Sequence, residues 1–278
     1  MKINLPFNHG MGLRICSGGN GNTTYPTARI QKGLALFCDE QDLSEEAVGF
    51  GVPILKCGLQ AIFPGEVDLF TDAGISTPRI TARYKLNLEE KISKNNTGTI
   101  DKQWLYASKN MLAAVIRNWP ISRRVLTEIS NLLRSALGWT TTYEPADFSN
   151  FITMTYTVDK VKGEVYIEMI STEYSLPNIS EVIVMNEQGA QTFNLYQEAG
   201  GSIQTGGDIG CWDLVLGDYA AFISSTQHIS FSLPQVKGVR LYRGRENIDS
   251  RLAWAGFGYI IPPDLTNFSY SITLNKLP

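Results

Sequence analysis

The chain has 278 residues, with 24 Lys and Arg against 27 Asp and Glu and only 18% charged residues. That length supports a full hydrophobic core, and a formal charge of −3 excludes a nucleic-acid binder driven by phosphate contacts, which needs a basic excess. Two histidines exclude a three-His zinc site and an HExxH peptidase.

From the N-terminus to about residue 98 the pattern is one of strands and loops. Gly18-Gly19-Asn20-Gly21-Asn22 reads as a glycine-rich loop, and Gly49-Phe50-Gly51-Val52-Pro53 and Phe63-Pro64-Gly65 read as turns. The clearest strand is Arg79 to Leu88, where Ile80, Ala82, Tyr84, Leu86 and Leu88 alternate with Thr81, Arg83, Lys85 and Asn87. A period of two gives one buried and one wet face, as in an antiparallel sheet.

Between about 100 and 138 the period changes. Trp104, Leu105, Ser108, Met111, Leu112, Val115, Ile116 and Trp119 fall on one helical stripe, with Thr99 as N-cap and Asp101 in the first turn. Pro120 stops that helix. A second stripe through Val125, Ile129, Leu132, Leu133, Ala136 and Leu137 ends at Gly138. The expectation is a helical hairpin inserted between two β regions.

From Thr140 the period of two returns. Ile152, Met154, Tyr156 and Val158 alternate with threonines, and Phe268, Tyr270, Ile272 and Leu274 with Ser and Thr. Further strands are expected at Glu164 to Ile170, Ser180 to Met185, Trp212 to Ile223, His228 to Leu233 and Val239 to Tyr242. Turns are expected at Lys162-Gly163, Glu187-Gln188-Gly189 and Lys237-Gly238. The expected fold is therefore mainly β: one domain over residues 1–278, a large antiparallel β-sandwich with the helical hairpin inserted at about 100–138.

That architecture resembles the sugar-processing supersandwich folds. What the resemblance implies is a carbohydrate-directed protein of epimerase, lyase or hydrolase type, working in a groove on the polar sheet face. The 20 Ser, 21 Thr and 17 Asn suit a ligand made of hydroxyl groups, although strands and turns use these residues in any case. The rival expectation is a non-catalytic binding or assembly module. It would present the helical hairpin to a partner and manage its β-edges by forming a homo-oligomer.

Met1 to Pro6 has no apolar leader core, and no apolar run is long enough to span a bilayer, so a cytoplasmic protein without a membrane partner is expected. Cys16, Cys38, Cys57 and Cys211 form no CxxC pair and read as buried free thiols. Gly19-Asn20-Gly21 lacks the third glycine of a dinucleotide fingerprint, and no cofactor or metal site is assigned.

Candidate chemistry rests on few side chains. His228 alternates with Ser230 and Ser232, which puts it on a polar face as a general acid or base, or as a plain solvated histidine. Asp213 and Asp218 lie beside Trp212 and Tyr219 in an apolar stretch, where a raised pKa suits proton transfer. Arg243 and Arg245, in a cluster with Arg240 and Arg251, would orient an anionic group of a sugar or another anionic small molecule. Trp212 and Trp254 would stack on the sugar ring. The glycine-rich stretch from Gly200 to Gly207 reads as a surface loop, with a cover over a site as the alternative.

Overall fold

The computed structural model describes residues 1–7, 10–17, 30–39, 41–44, 47–58, 60–72, 78–94, 98–99, 139–171, 179–206, 209–210, 212–249 and 252–277. Within them the regular structure is strand, apart from a single 3₁₀ position at Gly206. This corrects the expected mixed architecture, because no helical hairpin belongs to the described fold. Thr99, read as the N-cap of its first helix, instead pairs with Ser93 across a short ladder. The remainder of the proposed insertion, 100–138, lies outside the described residues. Among those residues no helix is long and apolar enough to cross a membrane.

Four short strands form an antiparallel sheet: β1 (Lys2–Pro6), β2 (Met11–Cys16), β3 (Ala35–Cys38) and β4 (Gln41–Asp42). The rest join a second sheet. They are β5 (Gly49–Cys57), β6 (Gln60–Thr71), β7 (Arg79–Lys94), β8 (Gly98–Thr99), β9 (Trp139–Asp159), β10 (Glu164–Ile170) and β11 (Glu181–Gly189). They continue as β12 (Leu195–Glu198), β13 (Gln204–Thr205), β14 (Asp213–Leu214), β15 (Tyr219–Ser224), β16 (Ile229–Pro234), β17 (Arg240–Asp249), β18 (Leu252–Ile261) and β19 (Asn267–Lys276). The order is β13-β12-β15-β16-β19-β10-β9-β7-β6-β5-β11-β18-β17-β14, with β8 beside β7.

This long sheet curls until its halves face one another. Phe50 of β5 meets Phe231 of β16 at 5.2 Å, although six pairings separate the two strands along the sheet. Tyr259 of β18 lies 4.7 Å from Tyr270 of β19, and Phe257 lies 5.0 Å from Phe222 of β15. These tilted and edge-on ring pairs close a β-sandwich around one core. The small sheet caps that core with Leu5, Leu13, Ile15 and Leu36. Gln188 holds it there: its Oε1 accepts the Leu36 N–H at 3.1 Å and its amide donates to the Leu34 carbonyl at 3.4 Å.

The alternating stretches bury the faces their periods imply. Ile80, Ala82, Tyr84 and Leu86 are fully buried, as are Ile152, Met154, Tyr156 and Val158. Leu88 departs from the pattern. The pairing of β7 with β9 shifts register between Leu86 and Leu88, and Leu88 packs in a second cluster with Ile54, Tyr143 and Met185. Two other local readings need correction. Glu187-Gln188-Gly189 is the end of strand β11 and not a turn, and the expected strand from Trp212 to Ile223 breaks into β14 and β15.

A buried polar knot ties the two halves together. Asn186 Oδ1 accepts the Gly51 N–H at 3.0 Å and the Tyr270 hydroxyl at 2.7 Å. Tyr156 donates its hydroxyl to the Gly51 carbonyl at 2.7 Å and lies 2.9 Å from the Tyr84 hydroxyl. Gly51 sits at φ +72°, and a Cβ there would lie 2.6 Å from the Tyr156 ring, so both backbone and space require glycine.

Candidate functional site: a cleft where the sheet closes

The two border strands of the large sheet, β13 and β14, come together through Arg243. The register of β14 with β17 sets Asp213 directly opposite Arg243. Arg243 Nη1 lies 3.2 Å from Asp213 Oδ2. Its Nη2 donates to Gln204 Oε1 of β13 at 3.4 Å, and the guanidinium lies 4.7 Å over the Tyr196 ring of β12. One arginine thus touches strands from both ends of the sheet.

At this seam opens a cleft of about 490 Å³, lined by Glu198, Ser202, Gln204, Asp213, Leu214, Leu216 and Arg243. Arg243 is only 6% exposed. Glu198 is fixed from three sides: Oε1 accepts the Tyr196 hydroxyl at 2.7 Å, and Oε2 accepts the N–H groups of Leu216 (3.2 Å) and Gly217 (3.1 Å). Leu214 and Leu216 stand exposed at the rim. The lining therefore combines two carboxylates, one guanidinium, an amide and a hydroxyl with an aliphatic edge.

Of the residues expected from sequence, the structure brings Asp213 and Arg243 together here. Arg245, two residues along the same strand, donates to the Ala190 carbonyl at 2.8 Å. Trp212 and Trp254 sit elsewhere. Trp212 stacks on Tyr242 at 5.9 Å and meets Trp254 edge-on at 6.3 Å, and neighbours Tyr242 and Arg243 point to opposite faces of β17. A Cβ on Gly258 would collide with the Trp212 ring, and one on Gly244 would lie 2.7 Å from Trp254. Both indoles pack on this glycine-floored face, where Trp254 Nε1 donates to Glu246 Oε2 at 3.1 Å.

His228 and Asp218 are not brought to the cleft as a set. His228 is an exposed turn residue at φ +54°, outside the strand on which its alternation placed it. Asp218 precedes β15 and His228 follows it by a four-residue turn, so the six residues of that strand, about 20 Å at 3.3 Å each, lie between them. Glu198 and Gln204 escaped the sequence reading. Their only local signal was the glycine-rich stretch from Gly200, which does line the cleft. Among the described residues Cys16, Cys38 and Cys57 are free thiols, and no group of three His, Cys, Asp or Glu could hold a metal.

A second carboxyl of note is Glu187, 6% exposed in β11, whose Oε2 accepts the Val48 N–H at 3.4 Å. Burial pushes this carboxyl up to about 7; the Val48 N–H opposes that rise, Glu246 adds to it and Lys32 opposes it. The folded protein therefore keeps a proton that the unfolded chain releases near 4.5. The stabilisation is fully present below about pH 4.5 and is lost as pH climbs towards 7, a total of about 3 kcal/mol. Urea unfolding at pH 5 and pH 7.5 is expected to show most of this fall, and Glu187→Gln to lessen it by about 2 kcal/mol. An unchanged difference between the two pH values in the variant would remove Glu187 as its source.

No protein-family model matches the chain, and no curated protein matches it. Solved structures share its fold. The α-N-acetylgalactosaminidase NagBb from Bifidobacterium bifidum, in its GalNAc complex, aligns over 99% of this chain with a TM-score of 0.52 at 8% identity. The Gal-NHAc-DNJ complex of the same enzyme also gives 0.52 at 8% identity, over 99% of this chain and 36% of that one. An α-mannosidase from Enterococcus faecalis V583 aligns at 0.47 and 8% identity over all of this chain and 29% of its own. The present chain spans 36% of the length of NagBb, and what the two share is the β fold.

Proposed function

We propose that the protein recognises carbohydrate and seats a sugar in the seam cleft. The observation that carries this reading is the lining itself. Carboxylates of Glu198 and Asp213 can accept from ring hydroxyls, Arg243 can donate to them, Gln204 can donate or accept, and Leu214 and Leu216 offer an apolar wall. A pocket of a few hundred Å³ with few, directional polar groups beside an apolar surface is what a single sugar unit requires. The recurrence of the fold in NagBb, a GalNAc-binding glycosidase, supports the same class of ligand.

The geometry favours a neutral sugar over the anionic one expected from the arginines. Arg243 already faces Asp213, and Glu198 leaves the lining with two formal negative charges against one positive. A uronate or sugar phosphate would meet net repulsion there.

Calorimetric titration of the protein with neutral hexoses, N-acetylhexosamines and uronates tests this. Saturable binding of a neutral sugar is expected, weakened at least about tenfold in Asp213→Asn, which keeps the shape but removes the charge. No binding of any neutral sugar would overturn the reading, as would undiminished binding by the variant.

A further inference from the structure

Resting on the carbohydrate reading of the seam cleft, we infer that its sugar carries an acetamido group, and that Arg243, Asp213 and the two rim leucines form the subsite for it. Arg243 is charge-balanced but its donors are poorly used. Beyond the 3.2 Å contact with Asp213, its bonds to the Gly210 carbonyl and to Gln204 Oε1 are both 3.4 Å long. Its buried Nε has no hydrogen-bond partner among the described residues. Charge-assisted N–H···O bonds run to about 2.8 Å, so the weakly engaged Nη1 and Nη2, rather than the enclosed Nε, have capacity for a further acceptor.

That acceptor has to be uncharged. A carboxylate or phosphate brought to Arg243 would also lie beside Asp213 and Glu198, whereas an amide carbonyl oxygen brings no charge. Next to it the cleft offers acceptors: Asp213 has 30% of its side chain exposed, and Glu198 presents a carboxylate whose three hydrogen bonds leave one of its four lone-pair directions. An N–H donor matches them. At the rim, Leu214 is 44% and Leu216 82% exposed, two aliphatic side chains beside an otherwise polar lining. A methyl group would cover part of that surface.

Carbonyl, N–H and methyl in one compact unit describe an acetamido substituent. The alternatives each miss one feature. A hydroxyl leaves the leucines wet, an ammonium offers the arginine no acceptor, and a carboxylate meets the two acids.

The experiment is calorimetric titration of the full chain with N-acetylgalactosamine, N-acetylglucosamine, galactose, glucose and galactosamine. One N-acetyl sugar is expected to bind at least about tenfold tighter than both its parent hexose and its free amine, the scale of a single apolar and hydrogen-bonded group. Leu216→Ser, at a strongly exposed position, is expected to remove most of that preference. Equal affinity for N-acetyl sugar and parent hexose would overturn the acetamido subsite while leaving the carbohydrate reading intact. Failure of every neutral sugar to bind would overturn both. A full preference retained in Leu216→Ser would overturn the placement of the methyl group at the rim.

Discussion

Replacing Asn186 with leucine is expected to lower the unfolding free energy by about 4 kcal/mol, because it strands two buried donors at roughly 2 kcal/mol each. Leucine keeps the branching and heavy-atom count of asparagine, but its two methyl groups are bulkier than the amide, so any overpacking adds to the loss. What disappears is the shared acceptor of the Gly51 N–H and the Tyr270 hydroxyl, both far from water. Gly51 is also held by Tyr156 through its carbonyl, so the loss spreads along a connected set of hydrogen bonds. Urea denaturation of Asn186→Leu, Tyr270→Phe and the double variant measures it. Tyr270→Phe removes one of the stranded donors, so the double variant is expected to be less destabilised than the sum of the two single ones. Strict additivity would mean that the two groups do not depend on each other. A loss below about 1 kcal/mol in Asn186→Leu would mean that water or a shifted backbone satisfies both donors.

Arg243→Ala is expected to cost about 3 kcal/mol and to abolish sugar binding, since it leaves Asp213 facing a vacated, mostly buried site. The variant also takes away the side chain that bridges β17 to Gln204 of β13 and covers the Tyr196 ring. Limited proteolysis is therefore expected to cut faster in the connection between β13 and β14 than in the parent. Arg243→Lys separates charge from shape. A lysine can face Asp213, but it has no planar fork to reach Gln204 and lie over Tyr196 together. Stability in the lysine variant is expected to recover in part and binding to stay lost. Full recovery of binding by lysine would mean that a point charge suffices there.

Reading the sequence was most successful where two faces of one strand differ. In Arg79 to Leu86 the alternation itself encodes which side meets the core, and Ile80, Ala82, Tyr84 and Leu86 are fully buried as that pattern implies. The same rule failed where partners come from afar. Glu187 and Gln188 read as turn residues in sequence, and Asn186 falls between that turn and the expected strand. They are buried in a strand because Tyr270, Val48, Gly51, Leu34 and Leu36 satisfy them, and no local window contains those residues. His228 shows another limit. Period two runs smoothly from it into β16, yet its left-handed backbone makes the strand begin one residue later, at Ile229. For the cleft, both Asp213 and Arg243 stood out in sequence through their chemistry, but their pairing depends on strand register across thirty residues. Glu198 carried no signal of its own.

Trp212 illustrates how a plausible ligand contact becomes packing. An indole next to an aspartate suggests a sugar platform. The chain enters β14 with Trp212 at φ +61°, which turns the ring onto the floor left open by Gly258 and against Tyr242. The aspartate that follows it then faces the other way, towards Arg243.

The curled sheet has one further consequence, for self-association. Any open ladder of strands ends in two rims of unpaired amides and carbonyls that could recruit another copy and grow into fibres. Among the described residues the path of fourteen strands in the large sheet ends in β13 and β14, each only two residues long, and Arg243 draws these two ends together. The same curvature that opens the seam cleft also leaves a neighbouring chain little template at these two ends.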